Sequence, residues 1–299
     1  DSTGAVTAAF GVASHGQGLE TTLAQVIADE LGARLGDIRI VHGDSAAVAH
    51  GTGTYASRSA VLGGGAATLA SRGLKEKVVR MAAHLLEAAA GDIEVRDGAA
   101  GVVGTDRKLT FAEIARAVYS DMGRLPAEVR ENLEETKSYD PYFGTTTSAT
   151  HIAQVEIDPG TFGVSITAYV VAEDCGRMIN PLIVDGQVHG AVVQGIGVAL
   201  LEEVLYDEQG QLQTASLADY IVPSAAEAPH IRTEHLEIEV PATVGGFRGM
   251  GEGGTIGAPA AIANAVADAL AARGVEIFEL PITPERLFQA LRAADTVKP

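Results

Sequence analysis

At 299 residues, 46% hydrophobic and 20% charged, the chain can bury a sizeable core, and its length predicts two domains. A formal net charge of −18 excludes a non-specific nucleic-acid or anionic-membrane surface, both of which need clustered Lys and Arg. The single cysteine, Cys175, excludes an internal disulfide and any multi-cysteine metal or iron–sulfur site, and it reads as a small buried hydrophobe.

Residues 5–12 alternate weakly and predict a strand. The turn Ser14-His15-Gly16-Gln17-Gly18 follows, then a helix-period pattern at Leu19, Leu23, Val26, Ile27 and Leu31 ended by Gly32, with Ser14 as the expected cap. This strand–glycine turn–helix order offers a helix N-terminus to an anion. Residues 38–41 predict a short strand and 42–54 a polar loop. Tyr55-Ala56-Ser57-Arg58-Ser59 then enters a helix over about 60–90. Gly63, Gly64 and Gly65 near its start each cost about 1 kcal/mol of helix propensity, which fits close approach of another backbone or a ligand.

Residues 92–103 predict a hairpin, and 110–119 a helix with Thr110 and Glu113 at capping-box spacing. A polar linker spans 121–147, including the loop-like stretch 139–146, and places a subdomain boundary near 145. Strands over 149–157 and 164–174 flank an Asp158-Pro159-Gly160 turn. A helix is expected over 184–203, with Gly186, Gly190, Gly195 and Gly197 inside it. Gln187 and Gln194 fall on nearly one face, suggesting a flank pressed on a polar ligand. Residues 215–223 read as a loop or edge strand and 236–240 as a strand. Helices over 259–272, ended by Gly274, and 284–291 complete the chain, without internal repeats.

Residues 245–260 set one carboxylate, Glu252, among Gly249, Gly251, Gly253 and Gly254, just before a helical pattern. A carboxylate held there can be a positioned base, a ligand, or a solvated side chain in an ordinary loop. The sequence lacks a Walker A lysine motif, a strand-linked Gly-x-Gly-x-x-Gly with an acidic partner, His-Glu-x-x-His and a Gly-x-Ser-x-Gly elbow. Its 8 histidines do not cluster at metal-ligand spacing, so no side-chain metal ligand is expected. Several glycine-rich segments with amides, hydroxyls and one marked carboxylate suit a large phosphate-bearing cofactor that carries the chemistry itself.

Four stretches in order carry a family resemblance: His15–Gly32, Gly53-Thr-Tyr-Ala-Ser-Arg-Ser, Asp185-Gly-Gln-Val-His-Gly-Ala-Val-Val-Gln-Gly-Ile-Gly and Gly249-Met-Gly-Glu-Gly-Gly. They resemble the molybdenum hydroxylases, the family of xanthine dehydrogenase, aldehyde oxidase and the bacterial carbon monoxide and nicotinate dehydrogenases. The resemblance covers nearly the whole chain but only the C-terminal half of the family's molybdenum subunit. It implies an α+β fold of mixed sheets with packed helices, divided into molybdopterin-binding subdomains at 1–145 and 146–299. The implied function is hydroxylation of an aldehyde, an N-heterocycle or a similar carbon centre with water-derived oxygen.

The resemblance places Gly16, Gln17 and Gly18 by the pterin, Tyr55 and Ala56 under the metal site, and Ser57 and Ser59 on the dinucleotide side. By the same resemblance Gln194 would hydrogen-bond the pterin, Gly251 would line the cofactor, and Glu252 would be the general base activating a metal-bound hydroxide. The metal is held by the pterin's sulfurs. The implied cofactor is molybdopterin in its cytosine dinucleotide form, with FAD and 2Fe–2S clusters on partner chains. The implied partners are the complementary N-terminal half and the iron–sulfur and FAD subunits, in a heteromer or a dimer of heteromers.

The alternatives are a carbon monoxide dehydrogenase, whose copper-bearing cysteine would lie in the half not present here, and a non-catalytic scaffold that keeps the fold. Asp1 in place of a methionine makes a processed or trimmed chain the expectation. The chain has no basic stretch leading into an apolar segment, and no apolar run approaches the roughly 20 residues of a bilayer span. A cytoplasmic location, no membrane span and no nucleic-acid partner are therefore expected.

Overall fold

The computed structural model describes residues 1–142 and 146–297. The boundary expected near 145, and residues 143–145 of the loop-like stretch, lie outside the described residues. The chain forms two compact units. The first takes Asp1–Thr146, Gly176–Asn180 and Glu239–Gly249, and the second takes Thr147–Cys175, Pro181–Ile238 and Met250–Pro299.

In the first unit, β1 (Val6–Phe10), α1 (Leu19–Leu31) and β2 (Ile38–His42) make a parallel β–α–β step with Val6 opposite Ile38. The predicted stripe of Leu19, Leu23, Val26, Ile27 and Leu31 is the buried face of α1, packed with Phe10, Val12 and Val61. The cap differs from expectation. Gly18, in the left-handed region at φ 73°, is the N-cap, and the Ser14 hydroxyl instead accepts from the Gly16 N–H. A glycine can make that turn without strain, so the helix starts there.

The long α2 (Ser59–Leu85) carries Gly64 and Gly65 where aromatic rings come against it. A Cβ on Gly64 would meet the Phe247 ring at 3.0 Å, and one on Gly65 would overlap the Tyr139 ring. Strands β3 (Ile93–Arg96), β4 (Ala99–Val102) and β5 (Lys108–Thr110) extend the predicted hairpin to an antiparallel three-stranded sheet. Then α3 (Phe111–Tyr119) starts with the predicted capping box. Thr110 Oγ1 accepts from Glu113 N–H at 3.2 Å, and Glu113 Oε2 accepts from Thr110 N–H at 2.7 Å.

The second unit is built on β6 (Ser148–Ile157) and β7 (Val164–Asp174), the predicted hairpin, with β8 (Ile231–Leu236) parallel to β7. The strand expected over 236–240 is displaced. Pairing stops where β7 ends, Asp174 being opposite Leu236, so β8 runs up to Leu236 rather than away from it. Over this sheet pack α4 (Pro181–Leu200) and α5 (Gly253–Leu270). The latter and α6 (Pro284–Val297) share a core through Val266, Leu270, Val275, Ile282 and Leu287.

Helix α5 starts six residues before the sequence suggests and carries Pro259 inside it. Close packing on α4 overrides the poor glycine propensity. Gly195 of α4 lies under Ala258, and Gly254 of α5 lies on Ala191. By length and composition alone, α4 and the segment Gly253–Arg273 could cross a membrane, which a search for uninterrupted apolar runs misses. Both bury apolar residues in packing (Val188 and Val192 of one, Ile262 and Val266 of the other), so we read them as core helices.

Candidate cofactor-binding site and base

In the first unit, the end of β1 holds two of the predicted segments side by side. Thr52 N–H donates to the Gly11 carbonyl at 3.1 Å, and Thr54 Oγ1 donates to the Ala13 carbonyl at 2.6 Å and pairs with Ser59 Oγ at 2.8 Å. The Gly16–Gly18 turn therefore leaves β1 next to the Tyr55–Ser59 segment. Gly16 has φ 99° and open space where a side chain would be. Gln17 folds back, its Oε1 accepting from the His15 N–H. His42 braces the turn, with Nδ1 accepting from Ser14 N–H at 3.4 Å and Nε2 pairing with Glu20 at 2.7 Å. That pair holds the Glu20 carboxyl below its ordinary value.

Ala56 and Ser57 both adopt left-handed backbone, at φ 51° and 52°. Two such residues in succession store strain of the kind that clusters at ligand clamps. Gly249 presses on this bend, since a Cβ there would fall 2.5 Å from the Ser57 carbonyl oxygen. Tyr55 is exposed and Ser59 is buried as the first residue of α2. Sequence reasoning gave Arg58 no role. Its guanidinium stacks 4.0 Å over the Tyr55 ring and donates to Thr52 Oγ1, and its buried Nε has no hydrogen-bond partner.

The second unit brings Gln194 to the Glu252 loop. Thr255 Oγ1 donates to the Ala191 carbonyl at 2.8 Å and lies 3.2 Å from Gln194 Oε1. Gly186 and Gly190, two turns and one turn before Gln194 on α4, are open. Gly195 and Gly197 are filled by Ala258 and by Glu202, so only part of the expected small-residue flank is free for a ligand. Gln187 is half-buried. Glu252 follows exposed Gly251 and is the N-cap residue of α5. Its backbone carbonyl accepts from Thr255 and Ile256 at 3.1 and 3.2 Å, and its side chain does not cap its own helix. The peptide bond from Gly249 to Met250 joins the two sets of residues.

Three of these segments end at the starts of α1, α2 and α5, none of which has a side-chain cap, whereas α3 has a complete one. First-turn N–H groups favour negative charge, and at α1 the Glu20 carboxylate already takes its own backbone N–H. Open space at Gly16, the partnerless Arg58 Nε and the uncapped helix starts fit a large anionic group gripped through the backbone. Among the described residues no group of three or more His, Cys, Asp or Glu could hold a metal, so a metal here has to arrive with its own ligands. Cys175 is buried, and burial pushes its thiol up to about 12, so it is an inert core residue.

Uncapped helix starts and glycine turns in the first unit, and a carboxylate at a helix start in the second, are the features of a cofactor-binding domain. Residues 1–229 match the molybdopterin cofactor-binding domain family, and the chain belongs to that family. It is 43% identical to the nicotine 6-hydroxylase large subunit of Paenarthrobacter nicotinovorans over 98% of this chain and 36% of the relative. It is 35% identical to the carbon monoxide dehydrogenase large chain of Hydrogenophaga pseudoflava over 97% of this chain and 36% of the relative. The crystal structure of quinoline 2-oxidoreductase from Pseudomonas putida 86 superposes with a TM-score of 0.90 at 45% identity, covering 98% of this chain and 37% of that one. The chain thus spans just over a third of the length of the relatives it matches.

Proposed function

We propose that the chain is the cofactor-gripping, base-bearing part of a molybdenum hydroxylase that oxidises a ring carbon of an N-heteroaromatic substrate. The observation that carries this is Glu252 at the uncapped start of α5, tied through Thr255 to Gln194. The substrate class rests on relatives: the nicotine 6-hydroxylase subunit and quinoline 2-oxidoreductase are 43% and 45% identical, against 35% for the carbon monoxide dehydrogenase chain. The cofactor, in its cytosine dinucleotide form, would lie against Gly16, Gln17, Gly18, Tyr55, Ala56, Ser57, Ser59, Gln194 and Gly251. When bound it supplies the redox centre that takes up the substrate's electrons.

The chain's own residues bind, orient and move a proton. Backbone N–H groups at the starts of α1 and α2, with Arg58 as the one cation beside them, take the phosphate charge, consistent with a chain of net charge −18 that offers few side-chain cations. Gln194 presents its amide from a helix fixed against α5, so base and amide keep one spacing. Glu252 takes a proton from the attacking oxygen at its carboxylate, a general-base step typically worth 10²–10⁴ in rate. Gly254 lets α5 approach α4 closely, at Ala191, Val188 and Val192.

We further propose that the complete protein works with the complementary half of the molybdenum subunit and with iron–sulfur and FAD subunits, as a cytoplasmic heteromer. Metal and pterin analysis of the purified complete protein tests this reading. Molybdenum and pterin in equal amounts, with cytidine monophosphate released on acid hydrolysis, are expected. A preparation with neither metal nor pterin supports the scaffold alternative and overturns the proposal.

A further inference from the structure

The chain enters or leaves the second unit at five points, after Thr146, Cys175, Asn180, Ile238 and Gly249. Within that unit, four of the five ends are tied together where β7 stops. Thr147 Oγ1 donates to the Asp174 carbonyl at 2.5 Å, and Ile238 N–H donates to Asp174 Oδ1 at 3.2 Å. One residue earlier, Glu173 faces His235, its partner in the β7–β8 register, and His235 reaches Asp185 in the first turns of α4. The proposed mechanism uses none of these side chains.

Hydrogen-bond chemistry fixes where a proton has to be. Asp185 Oδ1 accepts from Thr233 Oγ1 at 2.8 Å, and His235 with Thr233 holds that carboxyl below its ordinary value, so it is ionised and can only accept. His235 Nε2, 2.8 Å away, is therefore the ring nitrogen that carries hydrogen. On the other side of the ring, Nδ1 stands 3.1 Å from Glu173 Oε1, and neither atom has a hydrogen-bond partner among the described residues. Glu173 is 1% exposed. With the ring neutral and the carboxyl ionised, two lone pairs would face each other out of reach of water. A proton between them, on the ring or on the carboxyl, removes that conflict. The other groups around the unit are His189 of α4 beside Asp185, Asp174, Cys175 and Glu237 at the strand ends, and His151 of β6 beside the Gly253 backbone of α5.

We infer that the Glu173–His235–Asp185 unit is a proton-dependent clamp: with one proton held between Glu173 and His235 it fastens β7, β8 and α4 together near the points where the chain leaves the second unit, and loss of that proton to solvent loosens them. The clamp is independent of the base and cofactor readings above. Burial pushes the Glu173 carboxyl up to about 7, with His235 opposing, against an ordinary value of 4.5. A carboxyl raised in this way stabilises the fold below its ordinary value, and that stabilisation is lost as pH rises through 7. The clamp is thus fastened below neutral pH and loosened above it.

Hydrogen–deuterium exchange of the complete protein, corrected for the intrinsic pH dependence of amide exchange, tests the clamp without relying on turnover. In wild type, protection at the end of β7, along β8 and in the first turns of α4 should fall about tenfold between about pH 6 and 8, the effect of one proton lost near neutral pH. Protection of α1 should change by less than about twofold over the same range. Glu173→Gln can donate its amide N–H to His235 Nδ1 and has no carboxyl proton to lose, so the fall should vanish. His235→Gln should lower protection of all three segments already at the acid end. A level wild-type profile overturns the inference, as does a fall of equal size in α1 or one that persists in Glu173→Gln. The wild-type comparison needs no variant, so it decides the question even if both variants misfold.

Discussion

The substitution Gly254→Ala asks whether the α4–α5 contact sets the position of Glu252, the carboxylate proposed as the base. Gly254 is the second residue of α5, two after Glu252. An added Cβ would lie 2.8 Å from Ala191 Cβ, 2.9 Å from the Val188 carbonyl oxygen and 3.0 Å from the Val192 nitrogen. Two of these three atoms are backbone within α4, so no rotamer change relieves the clash and the helices must part. Overpacking of this kind costs about 1–3 kcal/mol. Alanine recovers at most about 1 kcal/mol of helix propensity, leaving a net loss of roughly 1–2 kcal/mol.

Separating the helices also carries the Glu252 turn away from Gln194. A misplacement of about 1 Å can cost on the order of 10² in rate. Thermal melting of the complete protein, with turnover and metal content measured on the same preparation, reads both effects. The expected result is a lower melting temperature and turnover reduced tenfold or more at unchanged metal content. Wild-type turnover with an unchanged or raised melting temperature refutes the argument that close packing of α4 and α5 positions the base.

Three further outcomes follow from local chemistry. The Glu173 carboxyl sits near 7 in the fold against an ordinary value of 4.5, so its stabilising contribution is complete below pH 4.5 and lost as pH rises to 7. Melting temperature should therefore fall less over that window in Glu173→Gln than in wild type, the difference reaching at most about 3 kcal/mol, and a steeper fall in the variant contradicts the assignment. Ala56→Gly relieves a left-handed alanine at the expense of a more flexible unfolded chain. Stability should rise by up to about 1 kcal/mol in denaturant titration, and a loss above about 1 kcal/mol refutes the strain. Tyr139→Phe removes the hydroxyl that accepts from Val244 N–H at 2.8 Å and should destabilise by about 1–3 kcal/mol in the same titration, whereas a neutral result excludes that bond as a support of the loop before Gly249.

Elements whose signals were local were readable from the sequence. The stripe on α1 and the Thr110–Glu113 capping box of α3 each depend on residues within a turn or two of one another. The early start of α5 was not readable, because Gly253, Gly254 and Gly257 look like loop until the partner helix and sheet that fill their missing side chains are in place. The glycines of α2 were read as places where another backbone or a ligand comes close; at Gly64 and Gly65 the structure instead places aromatic rings, more than 70 residues away in sequence.

The Glu173–His235–Asp185 unit left one signal that was passed over. A strand reading Tyr169, Val171, Glu173 on alternate positions puts a charge where the inward pattern asks for an apolar residue, but its partners come from β8 and α4. For the candidate site, the sequence put forward the Gly-Gln-Gly turn, the Tyr55–Ser59 bend, Gln194 and Glu252. What the sequence withheld was how each is held: the double left-handed bend, the stack of Arg58 on Tyr55 and the Thr255 bridge.

The central claim is that Glu252 is the general base. Glu252→Gln in the complete protein keeps size and hydrogen-bonding capacity while removing the proton acceptor, so it tests the claim most directly. Turnover should fall by at least about 10² while molybdenum and pterin content stay at the wild-type level. Turnover within a few-fold of wild type at full cofactor content would contradict the account.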